Sequence, residues 1–345
     1  MANQTSLTKW LAAVLLAVFV LGLAGCDNPP RERILSFGGM TMGTSFSMKW
    51  VATDESRMAE IRSEATALLA EINRQMSTYI PDSELSLLNR AEPGQPHEVP
   101  AELMFVLQEA QRISDWTEGA FDVTVGPLVN LWGFGPDGRI LHAPDDEQIR
   151  QLKARIGYRF IHLLPESQQV LKDGDQYVDL SAIAKGYGVD ALAGLLEEKG
   201  IDRFLVEIGG ELRASGHKPN GEPWRLAIEA PVAGAERTAQ TLISLDQGAV
   251  ATSGDYRNFF EEKGIRFSHT IDPRTGRPIR HRLASVTVIR PTCAEADALA
   301  TALMVMGEEQ GYNFAKQHNL AAFFISKHGD DFSTRATAAF KAYLK

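Results

Sequence analysis

Two oxygen-rich segments, far apart in the sequence, contain the residue types that could do chemistry in this chain. Asp297 and Thr301 are four residues apart, so a helix would place them on one face, among small alanines. A carboxylate and a hydroxyl are hard oxygen ligands, which suit Mg²⁺ better than Zn²⁺. The other segment, Asp179 to Gly186, offers a carboxylate and Lys185 at a predicted strand-to-helix turn, where phosphates are often bound. Together the two segments indicate a magnesium-assisted reaction on a phosphorylated ligand.

The same residues also have an ordinary structural explanation. Thr292 and Glu295 have the spacing of a capping box, which predicts a helix that begins at Cys293. The helix dipole alone favours an acidic residue such as Asp297 in the first turn, and Thr301 could be there by chance. These few residues therefore leave metal binding and a purely structural role both open.

The elements that would position these residues follow an α+β pattern. Helices are predicted over Ser56–Met76, near Asp82–Asn89, up to Trp116 from Pro100, over Asp146–Ile156 and over Ile183–Lys199. Strands are predicted over Thr44–Val51, Val178–Leu180, Phe204–Ile208, Glu211–Gly216, Trp224–Ile228, Thr241–Leu245, Leu283–Ile289 and Ala321–Ile325. A turn is predicted at Gly38–Gly43, and a Gly/Pro-rich loop from Asn130 to Asp145. Adjacent runs of strands between groups of helices are typical of antiparallel sheets rather than a doubly wound fold.

Two glycine patterns imitate nucleotide-binding loops. Residues 133–138 fit G-x-G-x-x-G, but Pro136 and the following Asp-Gly pair favour a surface turn where no helix begins. The second pattern, Gly186-Tyr187-Gly188, lies inside a helical pattern and is followed by meander-like strands. Neither pattern therefore predicts a Rossmann dinucleotide site.

The N-terminus looks like a bacterial lipoprotein signal. An apolar run from Trp10 to Ala24 follows Lys9 and is shorter than the ~20 residues that a membrane-spanning helix needs. Small residues close the run just before Cys26, as in a lipobox. A plain signal peptide with a chance cysteine is the alternative.

We therefore predict a signal peptide over residues 1–25, lipid attachment at Cys26, and a tether over residues 26–36. Asp27 resembles the signal that retains lipoproteins in the inner membrane, facing the periplasm. Several lipid chains on one residue would form a firm anchor.

Composition excludes some functions and leaves others open. The chain has 345 residues and a net charge of −9, which argues against nucleic acid as a partner because phosphate backbones favour basic surfaces. Its length suits one large domain, or two closely joined lobes. Two cysteines are too few for a disulfide framework, and lipid attachment to Cys26 would leave Cys293 alone, buried in the first turn of its helix.

Eight short motifs together resemble those of one known family. They are, in chain order, Met40-Thr41-Met42-Gly43-Thr44, Ser77-Thr78-Tyr79, Gly119-Ala120-Phe121-Asp122, Asp179 to Gly186, Gly209-Gly210-Glu211, Ser253-Gly254-Asp255-Tyr256, His269-Thr270-Ile271-Asp272-Pro273-Arg274-Thr275-Gly276 and Ala296-Asp297-Ala298-Leu299-Ala300-Thr301. By these motifs the chain resembles the ApbE family, the FAD:protein FMN transferases, many of which are periplasmic lipoproteins. The resemblance implies an ApbE-like, T-fold-related α+β domain over residues 37–345, with antiparallel sheets and flanking helices.

The resemblance also implies an activity. The family splits FAD with Mg²⁺ and joins FMN through a phosphoester to a threonine or serine hydroxyl of a target protein, releasing AMP. Typical targets resemble flavin-bearing subunits of membrane redox complexes of the Nqr and Rnf type, such as the sodium-pumping quinone reductase. Two alternatives remain at this stage: an FAD pyrophosphatase that releases FMN and AMP, and a flavin-binding lipoprotein without enzyme activity.

Carried over by position, the resemblance assigns the site residues. Asp297 and Thr301 would ligate magnesium through side-chain oxygens, and Ala182 and Ala300 through the backbone. The residues matching the family's FAD pocket are Met42, Tyr79, Ala120, Phe121, Asp122, Asp179, Lys185 and Ile271. His269 would take the proton from the acceptor hydroxyl, and Lys185 would add a fixed positive charge.

Each of these residues also has an ordinary structural explanation. Alone, His269 would more often be a hydrogen-bonded structural histidine. Tyr79 and Phe121 would more often be core aromatics than flavin contacts. Gly209-Gly210 could be a tight hairpin, and residues 272–276 an ordinary turn.

Overall fold

A computed structural model of the chain describes residues 31–135, 142–231, 238–255, 259–262, 265–329 and 331–344. The predicted signal peptide, Cys26 and Asp27 lie outside the described residues. Within the described ranges, no helix is both long enough and apolar enough to cross a membrane.

An eight-stranded sheet forms the centre of the fold. Its strands, in spatial order, are β1 (Arg33–Thr41), β2 (Thr44–Ala52), β6 (Phe204–Ile208), β7 (Glu211–Ser215), β10 (Gln247–Gly254), β15 (Leu283–Arg290), β16 (Ala321–His328) and β17 (Asp331–Ala336). Each neighbouring pair in this sheet is antiparallel, which confirms the α+β prediction and is incompatible with a Rossmann arrangement.

A layer of helices packs against one face of this sheet. The helices of the described residues are α1 (Met58–Met76), α2 (Glu84–Arg90), α3 (Ala101–Trp116), α4 (Gly126–Leu131), α5 (Asp146–Lys153), α6 (Ala184–Glu198) and α7 (Cys293–Gln317). Helices α6 and α7 pack side by side against the sheet, with α1 against α6 and α3 against α7. Their apolar faces form the two largest hydrophobic clusters, so the main core lies between the helices and the sheet.

Smaller hairpins complete the fold. They are β3 (His97–Glu98) and β4 (Ile161–Leu164), both paired with β5 (Gln169–Lys172); β8 (Trp224–Glu229) with β9 (Ala239–Leu245); β11 (Phe259–Glu262) with β12 (Ile265–Ser268); and β13 (Ile271–Asp272) with β14 (Arg277–Pro278). Short 3₁₀ turns occur at Tyr158–Phe160, Pro165–Ser167 and Phe340–Tyr343. The β8–β9 hairpin and the C-terminal turn cover the other face of the sheet around a third apolar cluster.

The first hairpin turn lies later in the chain than its predicted position. The segment predicted as a turn, Gly38–Gly43, is mostly strand β1, and only Met42 and Gly43 turn, both with positive φ (48° and 71°). Positive φ at both loop residues is typical of a two-residue hairpin. Gly38 serves close packing instead, because a Cβ there would lie 2.5 Å from the Phe46 carbonyl oxygen. Since β1 begins at Arg33, regular structure also starts before the predicted end of the tether.

The strand predicted over Val178–Leu180 is wrong. Both end residues are buried, as in a core strand, but the segment is irregular backbone. Its amides pair with a side chain and a loop: Val178 N–H donates to Asn89 Oδ1 at 2.7 Å, and Asp179 N–H donates to the Val123 carbonyl at 2.7 Å. The other predicted helices and strands are present within a few residues, whereas α4 and strands β1, β3 to β5, β10 to β14 and β17 were not predicted.

Candidate active site

Two neighbouring cavities bring together most of the residues singled out from the sequence. The smaller, about 270 Å³, is lined by nine of them: Tyr79, Ala120, Phe121, Asp122, Asp179, Ala182, His269, Ile271 and Thr301. The larger, about 690 Å³, is lined by Met42, Tyr79 and Lys185. Tyr79 and Ser181 line both cavities, so the two cavities adjoin and together form the candidate site.

The first turns of α7 supply the oxygen ligands predicted for a metal. Thr301 faces the smaller cavity, and Ser253 Oγ lies 3.0 Å from its Oγ1. Asp297 and Ala300 lie in the same turns and are buried, with 4% and 0% of their surface exposed. Burial raises the pKa of Asp297, opposed by the nearby Lys185 charge and the Gly186 N–H.

The N-termini of α6 and α7 cap each other. Asp297, on α7, accepts a hydrogen bond from Gly186 N–H of α6 at 3.1 Å. Asp190, on α6, accepts from Cys293 and Ala294 N–H of α7, both at 2.9 Å. These amides belong to first turns, where no helical carbonyl is available. The exchange fixes the position of Asp297 relative to the turn that carries Ala182.

The predicted capping box at the start of α7 is therefore wrong. Helix α7 does begin at Cys293, but the Thr292 side chain makes no capping hydrogen bond. The distant Asp190 takes that role, and Glu295 instead pairs with Arg290 at 2.9 Å. Cys293 is buried and free, as predicted.

A glycine makes the close approach of these helices possible. A Cβ at Gly186 would lie 2.4 Å from the Cys293 carbonyl oxygen and 2.8 Å from the Ala294 Cα. Both contacts are to backbone, which cannot swing aside. Gly186 thus has a packing role and no part in a dinucleotide fingerprint.

Lys185 does not stand alone as a positive charge. Its Nζ lies 2.5 Å from Glu211 Oε1, at the start of β7, and its side chain keeps 30% of its surface exposed. Burial would lower the pKa of Lys185, but the Asp297 and Glu211 carboxylates outweigh burial and raise it. Burial, with the Asp297 charge, raises the pKa of Glu211 to about 7 although Lys185 opposes the change.

This cluster has the chemistry of a cation site. Two buried carboxylates, Asp297 and Glu211, face one ammonium group, so deprotonation of both leaves an uncompensated negative charge. Glu211 Oε2 is buried without a hydrogen-bond partner among the described residues. In the same ranges no three His, Cys, Asp or Glu side chains converge on a metal position. A hard cation here would rely on Asp297, the Thr301 hydroxyl and backbone oxygens, which are donors that Mg²⁺ accepts.

Two predicted pocket carboxylates organise the loops beside the cavity. Asp122 accepts hydrogen bonds from Thr124 N–H and Oγ1 at 2.8 and 2.6 Å and from Tyr158 N–H at 3.0 Å. Burial raises the pKa of Asp122 despite these bonds. Asp179 Oδ1 accepts from the backbone and hydroxyl of Ser181, at 2.8 and 2.5 Å, which shapes the turn before α6.

The aromatic and histidine positions differ in exposure. Phe121 is 2% exposed, as a core aromatic is, although it lines the smaller cavity, whereas Tyr79 is 69% exposed. His269 follows β12 and is half-buried, in edge contact with Phe134 at 6.3 Å between ring centroids. Because His269 and Thr301 line the same cavity, the position of the imidazole is compatible with proton transfer near a bound phosphate.

Three residues of the site had no role assigned from the sequence: Asp190, Glu211 and Ser253. Glu211 and Ser253 lie within recognised motifs, but the motifs do not show that Glu211 pairs with Lys185 or that Ser253 contacts Thr301. Asp190 lies on the face of α6 one turn beyond Gly186, and nothing in its spacing points to Cys293.

The chain is similar to proteins of known activity. A model of the ApbE family matches residues 42–324. The FAD:protein FMN transferase of Vibrio cholerae is 46% identical to this chain, over 97% of this chain and 99% of the relative. The FAD:protein FMN transferase of Haemophilus influenzae is 42% identical, over 96% of this chain and 97% of the relative. The solved structure of the flavin transferase ApbE from Vibrio cholerae superimposes on this chain with a TM-score of 0.82 and 43% sequence identity. The superposition covers 91% of this chain and 100% of the Vibrio cholerae chain. The apo flavinyl transferase ApbE of Pseudomonas stutzeri gives 0.83 at 39% identity, with coverages of 91% and 97%.

Proposed function

The chain belongs to the ApbE family, and from that premise we propose that it is a magnesium-dependent FAD:protein FMN transferase. The transferase activity follows the names of relatives that match over nearly their whole length. The dependence on magnesium, the roles of individual residues and the place in the cell are our proposals.

One observation supports the proposal above the others. The smaller cavity is lined at once by Thr301 and Ala182, by His269, and by the loop Ala120–Asp122. A phosphoryl transfer needs these three parts within reach of one another: charge neutralisation, a base and a binding surface for the leaving molecule.

Asp297, Thr301 and the backbone of Ala182 and Ala300 are the residues that would hold the cation. When bound, Mg²⁺ supplies Lewis-acid neutralisation of phosphate oxygens, worth several kcal/mol in such reactions. Lys185, held by Glu211, adds a positive charge at the wall of the larger cavity.

The chain's own residues would act on the acceptor and the nucleotide. His269 accepts the proton of the acceptor's threonine or serine hydroxyl as its oxygen attacks the FMN phosphorus. A new P–O ester bond forms, the P–O bond to the AMP phosphate breaks, and AMP leaves with that bond's electron pair. A positioned base of this kind contributes typically ~10²–10⁴-fold in rate.

We propose the partners and the location from the N-terminal sequence and the family. Lipid on Cys26 would anchor the domain to the periplasmic side of the inner membrane, with regular structure beginning soon after, at Arg33. The acceptors would be membrane redox subunits of the Nqr and Rnf type, whose target hydroxyl faces the same compartment.

A mass measurement tests the function directly. The protein, FAD, Mg²⁺ and a purified candidate acceptor are incubated, and we expect the acceptor to gain the mass of FMN minus water, with AMP released in equal amount. His269→Ala should bind FAD normally but transfer ~10²–10⁴-fold more slowly. Release of free FMN without any adduct would identify a hydrolase instead, and normal transfer by His269→Ala at neutral pH would exclude the histidine as base.

A further inference from the structure

One hydroxyl pair beside the proposed metal ligands has no role so far. Ser253 lies next to the end of β10, and its Oγ is 3.0 Å from Thr301 Oγ1 on α7. The register of the sheet places Ser253 opposite Val286 of β15. Val286 is part of the apolar cluster under α7, so Ser253 lies on the face of the sheet that faces the helix.

A threonine in a helix has a competing use for its hydroxyl. It can donate back to the carbonyl one turn earlier, which ties the oxygen to its own helix. A hydroxyl that ligates a cation through a lone pair keeps its hydrogen, which then needs an acceptor elsewhere. Ser253 Oγ is at hydrogen-bond distance to be that acceptor.

We propose that Ser253 is a positioning residue for Thr301. It accepts the Thr301 O–H, fixes the side-chain rotamer and leaves the Thr301 lone pairs available to a divalent cation. Partners of this kind behind metal ligands commonly change metal affinity by about 10–100-fold. The inference rests on the magnesium part of the proposed function.

The preceding residue of the strand provides a matched control. Thr252 Oγ1 pairs with Thr287 Oγ1 of β15 at 2.8 Å, within the sheet. Neighbouring strand residues point to opposite faces, so this pair lies away from α7. Thr252→Ala therefore removes a hydroxyl–hydroxyl hydrogen bond made by the neighbouring residue of β10 without reaching Thr301.

The test measures cation binding without any flavin chemistry. Mn²⁺, which shares the oxygen preference of Mg²⁺, is titrated into the purified full-length chain and followed by electron paramagnetic resonance or calorimetry. We expect Ser253→Ala to weaken Mn²⁺ binding about tenfold or more. Ser253→Thr, which keeps the hydroxyl, and Thr252→Ala should bind Mn²⁺ as the unchanged protein does.

The outcomes separate this inference from the function itself. Equal Mn²⁺ affinity of Ser253→Ala and the unchanged protein overturns the positioning role and leaves transferase activity untouched. If the alanine variant does not fold, Ser253→Cys decides, because a thiol of similar size is a weak acceptor and should also weaken binding. If the unchanged protein binds no Mn²⁺, the inference fails together with the magnesium assignment, whereas the acceptor mass shift still reports on flavin transfer.

Discussion

At the residue scale, Asp297 has two roles, one structural and one proposed in cation binding, that substitutions can separate. Its Oδ2 accepts the Gly186 N–H, which joins α7 to α6, and its charge is assigned to the cation. An asparagine retains an oxygen acceptor of the same shape but loses the charge. Substitution by asparagine and by alanine therefore distinguishes a structural from a metal-binding carboxylate.

We expect Asp297→Asn to fold as well as the unchanged protein and to lose the stabilisation by Mg²⁺. Asp297→Ala should lose that stabilisation and also leave the Gly186 N–H without its acceptor, at a cost of roughly 1 kcal/mol. Thermal melts with and without Mg²⁺ measure both effects. An asparagine variant that Mg²⁺ still stabilises fully would show that Asp297 does not bind the cation.

Glu211 makes the metal-free protein sensitive to pH. Burial, together with Asp297, raises the pKa of Glu211 from 4.5 to about 7. Between these values the unfolded chain has released a proton that the folded chain retains, so stability falls as pH rises through this window. The raised pKa of Asp297 acts in the same direction, whereas Lys185 titrates far above the window.

The expected loss across the window is on the order of 1–3 kcal/mol, since one pKa unit corresponds to about 1.4 kcal/mol. Denaturant unfolding at a series of pH values in the presence of EDTA measures it. Glu211→Gln should flatten the slope because the amide does not titrate. A slope unchanged by this substitution would assign the pH dependence to other groups.

At the scale of elements, the site depends on how closely α6 approaches α7. The two helices exchange carboxylate caps through Asp190 and Asp297, and Gly186 allows their backbones to meet. Spacing that imitates a capping box misled the sequence reasoning at Thr292, because a local motif and a distant carboxylate can satisfy the same amides. The start of α7 was predictable, but the group that caps it was not.

A pair of glycine substitutions in α6 tests this close approach. Gly186→Ala places a methyl group against the Cys293 carbonyl, and we expect it to cost roughly 1–3 kcal/mol and to weaken Mn²⁺ binding. Gly194, in the same helix, leaves room for a Cβ, which would meet no neighbouring atom of the described residues within 4 Å. Gly194→Ala should therefore stabilise the protein by up to about 1 kcal/mol. Urea unfolding and Mn²⁺ titration compare the two variants. If both variants have the same free energy of unfolding, the close approach of α6 to α7 at Gly186 does not matter for stability.

At the scale of the whole molecule, the site gathers residues from much of the chain's length. Periodicity located most of the described helices and five of the eight strands of the central sheet, because buried and exposed positions alternate at the spacing of each element. It could not show that Thr301 meets Ser253 or that Lys185 meets Glu211, since such contacts depend on the packing of distant strands. Motif resemblance identified the pocket residues, and only the fold shows how they converge.

Membrane anchoring and catalysis depend on different parts of the chain and can be separated by one substitution. The proposed anchor, Cys26, precedes the first strand, and the site residues lie in the domain that follows. Cys26→Ser should therefore abolish labelling by radioactive palmitate and move the protein out of the membrane fraction, while flavin transfer to a soluble acceptor fragment stays unchanged. Transfer to a membrane-embedded acceptor should slow. Without the anchor, the enzyme is no longer confined to the same membrane surface as its acceptor, so the effective concentration of the two proteins falls. Palmitate labelling that persists in the serine variant would show that the lipid is attached elsewhere.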